Sequence, residues 1–284
     1  MQELGFNEGV WRFGSFALIL LIMIVLEALL PRRKRRHSRI VRWATNLGLM
    51  ASSFLGVSLL MLGLNFLLVP ISALIAAFYA EQNNLGLFNW LDWPVWVEWI
   101  IAFIILDFVI WAQHWVTHKV PLLWRLHRVH HSDHDLDASS AVRFHPLEII
   151  FSIFVKAAAV IIIGAPAVLV VVFEAAVNGT AIFNHANFKL PLWLDAIIRR
   201  VLVTPDMHRI HHSIDLKESN TNYGFALTVW DRLFGTYTEQ PKDGHEGMII
   251  GLAHEQQEGP EKLWWVLTFP FKPNHGVKAK KKSD

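Results

Sequence analysis

LEIIFSIFVKAAAVIIIGAPAVLVVVFEAAVNGTAIF, Leu147 to Phe183, is the segment on which the topology of this chain turns. Its 37 residues are almost all apolar, yet Gly164-Ala165-Pro166 interrupts them near the middle. Proline lacks the amide hydrogen that a helix interior needs, and a full crossing takes roughly 20 apolar residues. The segment therefore reads as two short helices forming a broken hairpin, each half shorter than a full span, that enters the membrane and returns to the side it left.

The rest of the chain supports a membrane reading. Of its 284 residues 53% are hydrophobic and only 18% charged, and the mean hydropathy is +0.34. Disorder is excluded, because it requires low hydrophobicity and high net charge. The absence of cysteine excludes disulfides, thiolate zinc sites, iron–sulfur clusters and a cysteine nucleophile. Any metal must be held by nitrogen or oxygen.

Upstream of the hairpin, Phe13 to Leu30 has the length of one helical span and is followed by Pro31 and the run Arg32, Arg33, Lys34, Arg35, Arg36. It is too long for a signal-peptide core, and Glu3 and Glu8 precede it where a basic region would be expected. With Arg39 and Arg42, the basic run marks a cytoplasmic loop by the positive-inside rule. One basic loop between two spans is a topology signal and does not indicate nucleic-acid binding.

Ala44 to Ala80 accommodates one crossing plus an interfacial piece after Pro70. Glu81 to Pro94 lacks Lys and Arg, as an outside loop does, and Pro94 to His118 returns to the cytoplasmic side. The C-terminal part is mixed and ends in Lys278, Lys280, Lys281 and Lys282, a solvated tail able to touch anionic lipid. The expected fold is an all-α integral membrane protein with about three transmembrane helices, the broken hairpin and a cytoplasmic helical histidine-rich cap. Residues 1–93 form the N-terminal membrane part, 94–240 the histidine-bearing catalytic part, and 241–284 a cytoplasmic C-terminal segment.

Fifteen histidines stand out, and they are clustered. They run His114-x3-His118, then His127-x2-His130-His131, then His208-x2-His211-His212. Positions i, i+3 and i+4 share one side of a helix, so each cluster aims its imidazoles at one spot. Interfacial snorkelling accounts for isolated residues such as His37, His245, His254 and His275, but not for eight histidines in three such sets. One ion cannot use eight imidazoles, whereas two can, and imidazole suits iron, zinc, copper and nickel. A hairpin at 147–183 also keeps all three clusters on one membrane face, where a single crossing would separate the last from the others.

His127-Arg128-Val129-His130-His131-Ser132, with Leu136 to Ala141 and Val142-Arg143-Phe144-His145-Pro146 behind it, resembles the sterol desaturase / fatty acid hydroxylase superfamily. So do His208-Arg209-Ile210-His211-His212, Asn222-Tyr223-Gly224 and Trp230-Asp231-Arg232-Leu233-Phe234-Gly235-Thr236. The likeness covers about residues 100 to 240. It implies a membrane-bound non-haem di-iron oxygenase that uses O2 to hydroxylate or desaturate a sterol, fatty acyl chain or related lipid. It further implies that His114, His118, His127, His130, His131, His208, His211 and His212 are metal ligands, with His185 in Asn184-His185-Ala186-Asn187 a ninth.

The same likeness gives His145 a positioning role and makes two iron ions the cofactor, with zinc able to replace them in an isolated or recombinant sample. It departs from the family pattern at Gln113-His114-Trp115, where many relatives carry an Arg after the histidine, and this leaves the substrate open. His134, one turn beyond His130, is an outer candidate. Asp107 lies seven residues before His114 on the same helical side and is a candidate partner for a ligating imidazole. The alternative is a packing carboxylate bonded to Trp111 or a neighbouring helix. Lys156 and Glu174 in the hairpin are expected to snorkel or to pair with each other.

No flavin, haem or nicotinamide fingerprint is present, so electrons must come from an external donor such as a cytochrome b5, a ferredoxin or a reductase. Two rivals remain: a membrane desaturase of the separate three-box family and a histidine-rich metal transporter. The first two boxes are only eight residues apart, which disfavours the former, and clustering at one face disfavours the latter.

Overall fold

The computed structural model describes residues 8–65, 72–91, 93–257 and 259–273. The proposed interfacial piece after Pro70 begins outside the described residues, and the lysine tail and His275 also lie outside them. In chain order the helices are α1 (Glu8–Leu29), α2 (Arg39–Asn65), α3 (Ala73–Gln82), α4 (Leu87–Trp90), α5 (Val95–Lys119) and α6 (Pro121–His131). They continue as α7 (Pro146–Ile163), α8 (Ala167–His185), α9 (Leu192–Ile198) and α10 (Pro205–His211), followed by shorter turns. There is no named strand among the described residues.

Five of these helices, α1, α2, α5, α7 and α8, are long and apolar enough to cross a membrane. Their exposure pattern is inverted relative to a soluble protein. Phe13, Leu18, Phe54, Leu55 and Leu62 point outward, while Glu27, Arg42 and Asn46 on the same helices are fully buried. Such a surface is stable only where hydrocarbon is the solvent. The protein is an integral, multi-pass membrane protein.

The 147–183 hairpin reverses the chain, and both ends return to one side, where Glu148 at the start of α7 bonds His127 and His185 at the end of α8 bonds His130. Its break is built as expected: α7 stops at Gly164, whose φ of +69° is left-handed, and Pro166 starts α8. The arms are longer than the sequence suggests. At 18 and 19 residues each reaches about 27 Å, close to the ~30 Å hydrocarbon thickness. The turn therefore meets the loop after α3: a side chain on Gly86 (φ +92°) would strike the backbone of Gly164 at 2.2 Å. Two backbones touch there, and only glycine allows it.

Around the hairpin, α1 packs on α8, and α2, α3 and α5 pack on α7. The core between them is built from Ala76, Ala77, Leu106, Val160, Val170 and Phe173. Inside it Lys156 Nζ donates to Glu174 Oε1 at 2.9 Å, the pairing expected, and Arg12 reaches the same carboxylate.

At the other end, buried charges clamp the cap onto the helices. Arg42 donates through Nε and Nη2 to both oxygens of Asp133 at 2.8 and 2.7 Å, and through Nη1 to Asp137 at 2.7 Å. Burial alone would raise the Asp133 pKa, but the Arg42 and Arg143 guanidiniums override it and hold the carboxyl well below its usual range. Glu27 accepts the backbone amides of Ala138 and Asn187 at 2.7 and 2.9 Å. Arg32, from the basic loop, binds Asp206 on α10 at 3.2 Å, which places that loop on the histidine-bearing face.

Candidate metal centre

Nine histidines converge at this face, and they sort into two groups. His114, His118, His127, His131 and His211 form one, and His130, His185, His208 and His212 the other, with the ring nitrogens of each group within 4.8 Å of one another. These are the nine positions singled out in the sequence. All are buried except His118, which is half-buried.

The grouping departs from the expectation that each box serves one spot. On α6, His127 and His131 join the five-member group while His130 joins the other; around α10, His208 and His212 join the four-member group while His211 crosses over. Helical geometry explains it. Residues i and i+4 are only about 40° apart around the axis, whereas i+3 and i+4 differ by about 100°. An H-x2-HH box thus supplies a pair to one group and a single ring to its neighbour. On α5, His114 and His118 have no third member and stay together, and His185 at the end of α8 completes the second group.

Local sequence sets each support. Pro121 starts α6 immediately after α5 and folds its histidines back toward His114. Thr204 caps α10 by accepting the Met207 amide, with Pro205 in its first turn. Asp231 receives the amides of Tyr223 and Gly224 at 2.9 and 2.8 Å and the Trp111 indole at 3.1 Å. This fixes the Tyr223 carbonyl against His114 Nδ1 at 2.6 Å. Gly224 is required because a Cβ there would lie 2.8 Å from Leu227 O.

The hydrogen-bond partners determine which nitrogen of each ring faces inward. His127 Nδ1 bonds Glu148 Oε1 at 2.6 Å, His211 Nδ1 bonds Thr221 O at 2.7 Å, and His185 Nδ1 bonds Ala181 O at 2.7 Å. Carbonyl oxygens only accept, so on His114, His211 and His185 the hydrogen sits on Nδ1 and Nε2 carries a lone pair. The Nε2 atoms of neighbouring rings face each other. His114 Nε2 is 3.0 Å from His127 Nε2, and His185 Nε2 is 3.1 Å from both His130 Nε2 and His208 Nε2. His211 Nε2 and both nitrogens of His131 lack any protein partner.

Burial pushes His127 down to about 3. Burial first, and then the neighbouring imidazoles, hold His130, His131, His208, His211 and His212 well below the ordinary histidine value. Neutral imidazoles are the protonation state that ligates a metal, and each group brings four or five of them together, so the donor set fits two N-ligated transition ions.

The remaining candidates sit elsewhere. Asp107 Oδ2 accepts from the Trp230 indole at 2.8 Å and bonds no histidine, which is the packing alternative with a neighbouring segment as partner. His145 caps α7 by accepting the Leu147 amide and faces Leu267 O. His134 turns away from the nine and bonds Glu261 and Glu255. The carboxylate that does hold a clustered imidazole is Glu148, which the sequence reading passed over. It stands in the first turn of an apolar helix just after His145-Pro146, and that isolation was the available signal.

Two cavities approach the histidines. One of about 430 Å³ lies among α2, α5, α7 and α8, walled by Phe54, Val57, Ile110, Ile149, Ile153 and Phe173, and it reaches His114 and Glu148. Gln113, whose Oε1 is buried without a partner, and Asn178 are among its few polar groups. The second, of about 320 Å³, reaches His118 from the cap side between Trp124, Arg128 and Phe269.

Comparison with known proteins agrees with this geometry. The fatty acid hydroxylase family model matches residues 99–236. Ornithine lipid hydroxylase OlsE of Rhizobium tropici is 32% identical over 157 residues, covering 54% of this chain and 46% of that protein. Alkylglycerol monooxygenase of Homo sapiens is 31% identical over 61% of this chain and 36% of its own length. Cholesterol 25-hydroxylase of Rattus norvegicus is 24% identical over 48% of this chain and 45% of that protein. The aligned part thus spans less than half of each of these relatives. No solved structure matches. Its histidine boxes, its helical membrane fold and these relatives together support the sterol desaturase / fatty acid hydroxylase superfamily, whose fatty acid hydroxylase model this chain resembles over residues 99–236.

Proposed function

We propose that this protein is a membrane-bound non-haem oxygenase that hydroxylates or desaturates an unactivated C–H of a lipid, with the nine histidines holding two iron ions. The observation that carries the proposal is the convergence of lone-pair nitrogens in two groups beside an apolar cavity walled by membrane helices. Bound iron would supply the activation of O2 that no amino-acid side chain can perform.

The chain's own residues orient and exclude. The carbonyls of Tyr223, Thr221 and Ala181 hold their imidazoles in one tautomer with Nε2 inward, and Glu148 orients His127 by bonding its Nδ1. The cavity takes a hydrocarbon chain from the bilayer and keeps water from the reacting carbon. Gln113 and Asn178 offer its wall two amides, which suits a lipid bearing polar groups. The relatives named for ornithine lipid and alkylglycerol act on lipids of that kind.

Electrons would come from a separate carrier, a cytochrome b5, ferredoxin or flavoprotein reductase. A cytoplasmic location for the cap is supported by the basic loop bound to it through Arg32 and Asp206. Asp107 and His145 are assigned packing and helix-capping roles in place of chemistry. The test is lipid analysis of cells with and without the gene, together with O2 uptake by the purified protein. A lipid gaining one oxygen or losing two hydrogens is expected, and unchanged lipids with no O2 uptake would refute the proposal.

A further inference from the structure

A third group of metal-ligand side chains lies apart from the nine histidines: His37 from the loop before α2, His134 from the segment after α6, and Glu261 from the C-terminal part. Their donor atoms also fall within 4.8 Å of one another. Glu261 Oε1 is 3.0 Å from His134 Nδ1 and 3.6 Å from His37 Nε2. Ligands at about 2.0–2.2 Å from a four-coordinate ion lie roughly 3.3–3.6 Å apart, so these separations bracket those of a bound metal.

The hydrogen bonds favour ligation. His134 Nε2 lies 2.5 Å from the Glu255 carbonyl, which can only accept, so the ring hydrogen resides on Nε2 and the Nδ1 lone pair faces the carboxylate. An imidazole that gives its far N–H to a backbone carbonyl is oriented as metal-bound histidines are. Glu261 Oε2 is positioned by the Gly259 amide at 3.2 Å. The His37 ring lies against His134 with centroids 5.1 Å apart, its Nε2 turned toward Glu261 and its Nδ1 3.5 Å from Asp135 Oδ2. A proton could join His134 to Glu261 but would not engage His37 Nε2, 3.6 Å from the same carboxylate oxygen, whereas a cation draws on all three side chains.

We infer that His37, His134 and Glu261 form a separate structural site for one divalent transition ion of the zinc type, bound by two nitrogens and one carboxylate. The His37 side chain is 30% exposed, so the site opens toward solvent on that side and water can complete the coordination. The ion would fasten the basic loop to the cap through three segments distant in sequence.

The test uses the full chain in detergent, loaded with zinc and freed of excess. Wild type is expected to retain three zinc ions, and His37→Ala and Glu261→Gln two. The glutamine can still hydrogen-bond His134 by donating its amide to Nδ1 but is a poor ligand, so it separates ligation from packing. Equal zinc in wild type and both variants would overturn the inference and leave a hydrogen-bonded link. A wild-type count of two that falls to one in both variants would uphold this site and instead remove one of the nine-histidine centres. Cobalt substituted for the zinc should give tetrahedral d–d absorption that weakens in both variants, and unchanged absorption would likewise count against the site.

Discussion

The two histidine groups are built from the same boxes but differ in number and in what surrounds them. The five-member group touches both cavities, through His114 on the membrane side and His118 on the cap side. The four-member group lines neither of them, and its rings are wholly buried. On the function proposed above, proximity to the cavities would make the first group the one that faces substrate, with the enclosed second group behind it. The five-member group also has one imidazole more than a tetrahedral ion requires, and the four-member group has none to spare.

That difference sets the largest expected effect. His185→Ala leaves three rings in the enclosed group and should abolish lipid oxidation, a loss beyond about 100-fold measured as product per chain, while the protein stays in the membrane. His118→Ala leaves four rings in the other group and should cost only about tenfold. Equal losses in the two variants would break the distinction.

Next comes a change that strikes both groups together. Arg42 neutralises Asp133 and Asp137 immediately after His130 and His131, one ring from each group. Arg42→Met leaves two buried carboxylates uncompensated, a destabilisation of about 3–5 kcal/mol, visible as a lower unfolding temperature in detergent. The sign with pH is fixed by the depressed pKa of Asp133. Its contribution is present above the ordinary carboxylate range and is lost only as pH falls through the lower folded value.

Glu148→Gln should then lower turnover or metal affinity about 10–100-fold through loss of the His127 partner, with little change in the enclosed group. Smallest is Ile153→Trp, which fills the membrane-side cavity. It should weaken lipid turnover by about tenfold or less while metal content stays unchanged. A filled cavity with unchanged turnover would separate it from the substrate path.

Much of this arrangement was legible in the sequence because it rests on spacing. The hairpin follows from Gly164-Ala165-Pro166 and eight of the nine histidine positions from H-x3-H and two H-x2-HH boxes, while His185 comes from the family likeness of Asn184-His185-Ala186-Asn187. What stayed hidden depended on where elements meet. The division of each H-x2-HH box between two groups requires knowing that a second set of rings waits about 100° around the helix. Asp107 has the helical phase of His114, but Trp230, more than a hundred residues later, claims its carboxylate. Glu148 showed no periodic relation to His127, and only the packing of α7 against α6 brings them together. Arg42 read as a topology charge, whereas its main bonds are to Asp133 and Asp137 inside the cap.

The most direct test of two ions held by convergent imidazoles is iron analysis of purified protein carrying His37→Ala, which removes the separate third site. The expected content is two iron ions per chain, falling to one when His185→Ala is added. After metal stripping and reloading with iron, a content of zero, or one that His185→Ala leaves unchanged, would contradict the account.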